Sequence, residues 1–212
     1  MSAAPGGSAP ELAQAVPAPR PALWAALAVV LAVRLLTLGG YPLADTSEAR
    51  YGEIARVMRE TGNWVTPQEI AGTPFWAKPP LYAWLSAAST YLFGVGEFAL
   101  RLPSFLCGLG VLLLCARWAR ALAPDARQPG DRDAPLVSCL VLATCALFFI
   151  GYGAVMTDPA LGLSAAWMLV AFQRAVIDRC SRPVWRYGLF VAAALGMLAK
   201  GPVVFVYTAL PA

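Results

Sequence analysis

Charge is missing from long stretches of this chain. From Leu102 to Trp118 it reads LPSFLCGLGVLLLCARW, with Arg117 alone charged near the end. Similar apolar runs cover about 22–40, 135–152, 160–176 and 187–199, with a partial one at 202–212. A run of roughly 20 such residues is long enough to cross the hydrocarbon core of a bilayer as a helix. A helix is also one of the few structures that satisfy every backbone polar group there, since it does so within its own segment. An all-α integral membrane protein is therefore expected. Composition agrees: 59% of the residues are hydrophobic and only 13% charged, against about 25% charged in a soluble domain.

Several chemistries are excluded or disfavoured. There is no histidine, so imidazole metal sites and histidine acid/base catalysis are absent from this chain. The five cysteines form no CxxC pair and mostly lie in apolar runs, as small buried hydrophobes do. The formal charge of +4 comes with arginines gathered in two short loops, which speaks for membrane topology and against a nucleic-acid partner.

Residues 1–21 form an Ala/Pro/Gly-rich leader expected to be disordered and cytoplasmic. The first apolar run follows as a retained signal anchor, with Arg34 inside it directed to an interface or a polar groove. Charge density then rises from 41 to 100. DTSEARYGEIARVMRETGNW reads as an amphipathic helix at about 46–60, opened by a capping pattern at Asp45 and Glu48. A second helix, at about 79–93, is too short to span and is expected to lie at the interface. Arginines cluster at 117–132 and 174–186, so these loops should be cytoplasmic. The 41–100 loop and the turn at Asp158 then share the opposite side. A break at Lys200-Gly201-Pro202 keeps Lys200 out of the bilayer centre, where a charge costs several kcal/mol.

This topology brings Asp45, Glu48, Lys78, Asp158 and Lys200 from separate segments to one membrane face. They include both lysines of a chain with 16 basic residues. Such a set suits an anionic lipid head group with acid/base work beside it. A wetted loop face lined by unconnected charges is the plainer alternative.

The strings DTSEARYGEIARVMRETGNWVTP, FWAKPPL, FALRLPSFLCGLGVLLL, MTDPALGL and LAKGP, in that order, resemble the PMT/ArnT-like glycosyltransferases. That family holds the protein O-mannosyltransferases and the 4-amino-4-deoxy-L-arabinose transferases that modify lipid A. The arabinose-transferase branch is the more similar. The resemblance implies a GT-C helical bundle, truncated here, with two interfacial helices in its first periplasmic loop. It implies a multi-pass protein of the bacterial inner membrane with a periplasmic active face. It also implies inverting transfer of a sugar from a polyprenyl-phosphate donor, such as undecaprenyl phosphate, to a glycolipid or protein acceptor among membrane lipids. A divalent metal of unknown identity is a possible cofactor.

Carried onto this sequence, the resemblance makes Asp45 the catalytic base with Glu48 supporting it. Lys78, Lys200 and Arg50 become contacts to the donor phosphate. Asp158, Tyr51 and Tyr82 become supporting residues, with Asp158 orienting a lysine, binding a metal or merely capping a span. Arg101 marks a membrane boundary. Trp64, Trp76, Tyr82 and Trp84 stack on sugars or, as is commoner, anchor the interface. Two positions depart from the pattern: Ser47 stands where members have aspartate before Glu48, and Ala77 replaces an acidic residue before Lys78. Members are also usually much longer. A non-catalytic membrane module that holds polyprenyl phosphate, and a small transporter, are the alternatives.

Overall fold

The computed structural model describes residues 21–122, 129–180 and 182–209. Most of the expected leader, the centre of the first arginine-rich loop and the last three residues lie outside the described set.

The central element is α4, Glu97–Leu122. It starts earlier than its apolar run, because Glu97 favours a first turn and Arg101 finds buried partners. At 26 residues it is about 39 Å long. Against it pack α3 (Leu81–Phe93), α5 (Pro129–Thr144) and α7 (Asp158–Phe172). Helix α7 ends in a π-helical turn, Gln173–Ile177, and pairs extensively with α8 (Pro183–Lys200). Two helices, Glu97–Leu122 and Asp158–Ile177, are long and apolar enough to cross a membrane, and α1 (Pro21–Thr37) is a shorter apolar helix.

Three apolar clusters hold the bundle together. Leu27 of α1 meets Leu112 of α4 and Leu136, Cys139 and Ala143 of α5. Cys107 of α4 packs with Leu161 and Met168 of α7, Ala192 and Ala199 of α8, and Val204 of α9 (Val203–Ala209). The third cluster fastens the loop region to the bundle: Ala55 and Met58 of α2 (Thr46–Thr61), Tyr82 and Ala87 of α3, Leu100 of α4, and Val155.

Helix α2 is polar on its outer face and begins at Asp45, whose backbone is extended (φ −80, ψ 137) and whose side chain accepts from the Ser47 and Glu48 amides. It stops at Gly62, in the left-handed region at φ 68, which closes the last turn onto the Met58 carbonyl. Between α2 and α3 the expected loop contains a small antiparallel hairpin, β1 (Gln68–Ile70) with β2 (Thr73–Pro74). Pro79 and Pro80 precede α3, and Pro80 holds its cap position.

Two apolar runs are interrupted. The 135–152 stretch divides at Cys145, whose extended backbone (φ −61, ψ 126) separates α5 from a short α6, Ala146–Gly151. Thr144 turns its hydroxyl back onto the Leu140 and Val141 carbonyls, a bond that competes with helix continuation. The final run divides at Gly201 (φ 77, ψ −156), a conformation open almost solely to glycine.

Candidate active site

Four segments meet at one end of the bundle: the start of α2, the strand-to-helix connection before α3, the α6–α7 loop, and the α8–α9 break. Asp45 stands exposed at the entry to α2. Its Oδ1 takes the Ser47 amide at 2.7 Å and the Glu48 amide at 3.4 Å. These bonds fix the carboxylate while its second oxygen has no partner among the described residues. Capping and an open acceptor thus coexist in one side chain.

Glu48 points the other way, into the protein, and is 6% exposed. Arg101 of α4, fully buried, grips it as a fork, Nε to Oε1 at 3.1 Å and Nη2 to Oε2 at 3.0 Å. The Val155 amide donates to the same Oε1 at 2.8 Å. Arg101 also donates to the carbonyls of Leu38, Tyr41 and Pro42 at 2.8, 2.7 and 3.0 Å, under the Tyr41 ring. Both carboxylate oxygens of Glu48 are therefore engaged in structure. This network ties the segment before α2, α2 itself, α4 and the α6–α7 loop into one block. Arg101 does far more than mark a boundary. The signal available in the sequence was an arginine set directly against an apolar span, since such a charge demands a partner.

The α6–α7 loop then delivers Asp158 to the first turn of α7, where it forms an ion pair with Lys200 in the last turn of α8. Asp158 is half exposed and Lys200 about a quarter. Tyr51, two turns into α2, lies within electrostatic reach of this pair. Burial pushes its phenol pKa up; Lys200 and Arg50 pull it back and Asp158 adds to the rise. Tyr51, Lys78, Tyr82 and Thr157 line a shallow, narrow cleft beside the pair. Lys78 is half-buried and has no acidic partner among the described residues. Its ammonium is thus the open cation of the cleft, while Lys200 is held in place by Asp158.

The remaining expected residues fall into two kinds. Arg50 is exposed and pairs with Glu69 of the hairpin at 3.3 Å, at the cleft's edge. Tyr82 lines the cleft but is almost fully buried. Its hydroxyl is buried and donates to the Leu100 carbonyl at 3.1 Å, with Ser104 at 2.8 Å, and burial raises its pKa. Trp84 is spent on the Trp64 carbonyl, and Trp64 stacks on Tyr91; Trp76 alone of the tryptophans singled out in this loop is largely exposed, at 79%. Arg34 is buried at the wall of a small apolar pocket, neither snorkelling nor facing a polar groove, and donates to the Ile150 carbonyl and the Tyr41 hydroxyl at 3.2 Å each. No three acidic or thiol side chains converge among the described residues.

Residues 77–211 match the dolichyl-phosphate-mannose-protein mannosyltransferase family. The chain belongs to this family. Its first matched residues, 77–81, include the lysine of the cleft. Among curated proteins, the undecaprenyl phosphate-alpha-4-amino-4-deoxy-L-arabinose arabinosyl transferase of Pseudomonas savastanoi pv. phaseolicola is 33% identical over 88% of this chain and 33% of its own length. The protein of that name from Aeromonas hydrophila is 34% identical over 89% of this chain and 33% of its own. The crystal structure of ArnT from Cupriavidus metallidurans bound to undecaprenyl phosphate superposes with a TM-score of 0.77 at 25% identity, over 88% of this chain and 34% of that one. The fold is thus the all-α membrane bundle of GT-C type that the sequence led one to expect. The chain spans about a third of the length of these relatives.

Proposed function

We propose that this mannosyltransferase-family chain carries the donor-phosphate and acid/base half of a glycosyltransferase that uses a polyprenyl-phosphate sugar. The supporting observation is that an unpaired Lys78 and Tyr51 line one cleft, that the Asp158–Lys200 pair lies within electrostatic reach of Tyr51, and that Asp45 is about 9 Å from Tyr51 along the α2 axis. The names of its relatives point to undecaprenyl phosphate and an aminoarabinose as donor. An apolar groove of ≈ 1050 Å³ begins at Leu81, three residues beyond Lys78, and runs between α3, α4 and α7 past Leu85, Leu106 and Trp167. It offers a polyprenyl chain an apolar bed.

In this reading the acceptor hydroxyl attacks the anomeric carbon from the side opposite the phosphate. Its proton passes to the free oxygen of Asp45 as the new C–O bond forms. The bond from the anomeric carbon to the phosphate oxygen breaks, and its electron pair leaves with the polyprenyl phosphate. Lys78 neutralises that charge, and Lys200, oriented by Asp158, adds to the field. Glu48 acts as a positioning residue through Arg101. The face bearing this cleft is periplasmic, and the acceptor is an envelope glycolipid such as lipid A or a protein hydroxyl.

The test is transfer from undecaprenyl-phosphate aminoarabinose to lipid A by protein made from its complete reading frame. Asp45→Asn should lower kcat by roughly 10²–10⁴-fold. Lys78→Ala should raise KM for the donor, and Lys78→Arg should restore it in part, because a guanidinium cannot occupy the place of a compact ammonium. Full activity in Asp45→Asn would remove the base. Donor binding without transfer would make the chain a holding module.

A further inference from the structure

The other end of the bundle carries a second assembly of charge. Arg117 and Arg120 lie three residues apart on one face near the C-terminus of α4. The π-helical turn after α7 brings Arg174, and the N-terminus of α8 brings Arg182. These four line an open cleft of ≈ 1420 Å³ whose walls include Trp167 and Trp185. From Arg101 to Arg120 along α4 is about 28 Å, so this cleft and the candidate active site lie close to one bilayer core apart.

We propose that this cleft binds the headgroup phosphate of an anionic membrane phospholipid. Its charges are poorly balanced. Arg174 has Asp178 at 3.3 Å, but Arg117, Arg120 and Arg182 have no acidic partner among the described residues. The exposed arginines of α2 differ: Arg50 is paired with Glu69, Arg56 with Glu53 and Glu60, and Arg59 lies over the Tyr91 ring. Guanidinium groups left facing one cleft repel one another unless an anion sits among them. Their planar forks match phosphate oxygens two at a time. Arg182 caps α8 without a side-chain bond to its amides, which leaves the positive end of that helix turned to the same region.

The walls choose the source of the phosphate. A free phosphate needs no apolar surface, whereas Trp167 and Trp185 offer one beside the arginines. Tryptophan with arginine at the end of membrane-length helices is the composition of a headgroup-level site. The site shares no residue with the cleft at Lys78, meets the apolar groove only at Trp167, and does not depend on the glycosyltransferase reading.

Native mass spectrometry of the detergent-purified full chain, titrated with phosphatidylglycerol or phosphatidylethanolamine, tests it. The unaltered protein should prefer phosphatidylglycerol. Arg117→Gln/Arg120→Gln/Arg182→Gln should weaken that lipid roughly 100-fold and abolish the preference for it over phosphatidylethanolamine. Arg56→Gln/Arg59→Gln, remote from the cleft, should bind as the unaltered protein does. A second readout needs no charge variant. Phosphatidylglycerol brominated near its headgroup should quench tryptophan fluorescence, and Trp185→Phe should remove part of that quenching. Equal affinity for the two lipids, equal loss in the α2 variant, or quenching untouched by Trp185→Phe would overturn the proposal. Displacement of phosphatidylglycerol by millimolar glycerol phosphate would overturn the lipid source and leave a site for small phosphates.

Discussion

Arg101 and Glu48 decide how the site is held. Each is buried, and each is satisfied almost wholly by the other and by backbone groups. Removing one partner of a buried pair leaves an uncompensated charge, which costs about 3–5 kcal/mol. Arg101→Met should lower the unfolding midpoint in detergent accordingly. Arg101→Met/Glu48→Gln should cost less than the sum of the single changes. Additive losses would mean that the two side chains do not act as a unit. Tyr51 reports on the neighbouring cluster. Its folded pKa lies above its unfolded value, so the stability its neutral phenol contributes is complete below about pH 10 and is lost as pH rises through the folded value. Lys200→Met removes a charge that lowers this pKa and should raise it further, whereas Asp158→Asn should lower it. Ultraviolet titration, with Tyr51→Phe to identify the signal, distinguishes the two directions.

At the level of elements, the site depends on where helices stop. The end of α8 puts Lys200 against the first turn of α7, and Gly201 makes this possible by turning the chain at φ 77 and ψ −156. Gly201→Ala should cost about 1–3 kcal/mol, seen as a lower melting midpoint, and should loosen the Lys200–Asp158 pair. An alanine variant as stable as the parent would show that the turn relaxes freely. This break was legible, because a continuous helix would have carried a charge into the bilayer. The break at Cys145 was not, since Thr-Cys-Ala within an apolar run carries no proline or glycine. The hairpin between α2 and α3 was also illegible: its strands are three and two residues long, too short for any alternation to register.

For the whole molecule, the two ends of the bundle carry different chemistry. One holds both lysines and most of the carboxylates; the other holds arginine in excess. The proposed orientation rests on that asymmetry and has a direct test. In spheroplasts, a membrane-impermeant maleimide should label Ala71→Cys, at the hairpin turn, in a Cys180→Ser background. Cys180, which lines the arginine cleft, should be labelled only after permeabilisation. The reverse pattern would place the donor cleft on the cytoplasmic side.

The amino-acid sequence by itself determined that this protein is a helical membrane bundle, because apolar runs without charge have few other stable solutions in lipid. It also led one to expect which side chains share one end of the bundle, since arginine-rich loops and the apolar runs between them assign each loop to a side. Only the tertiary structure decided what those side chains do to one another. Glu48 sits three residues from Asp45, yet its partner is Arg101, on another helix, and its second donor is the Val155 amide. Asp158 finds Lys200 at the far end of the next helix. Charge pairing is settled by distance and burial in space, and the periodicity of a sequence fixes faces of helices without fixing which faces meet.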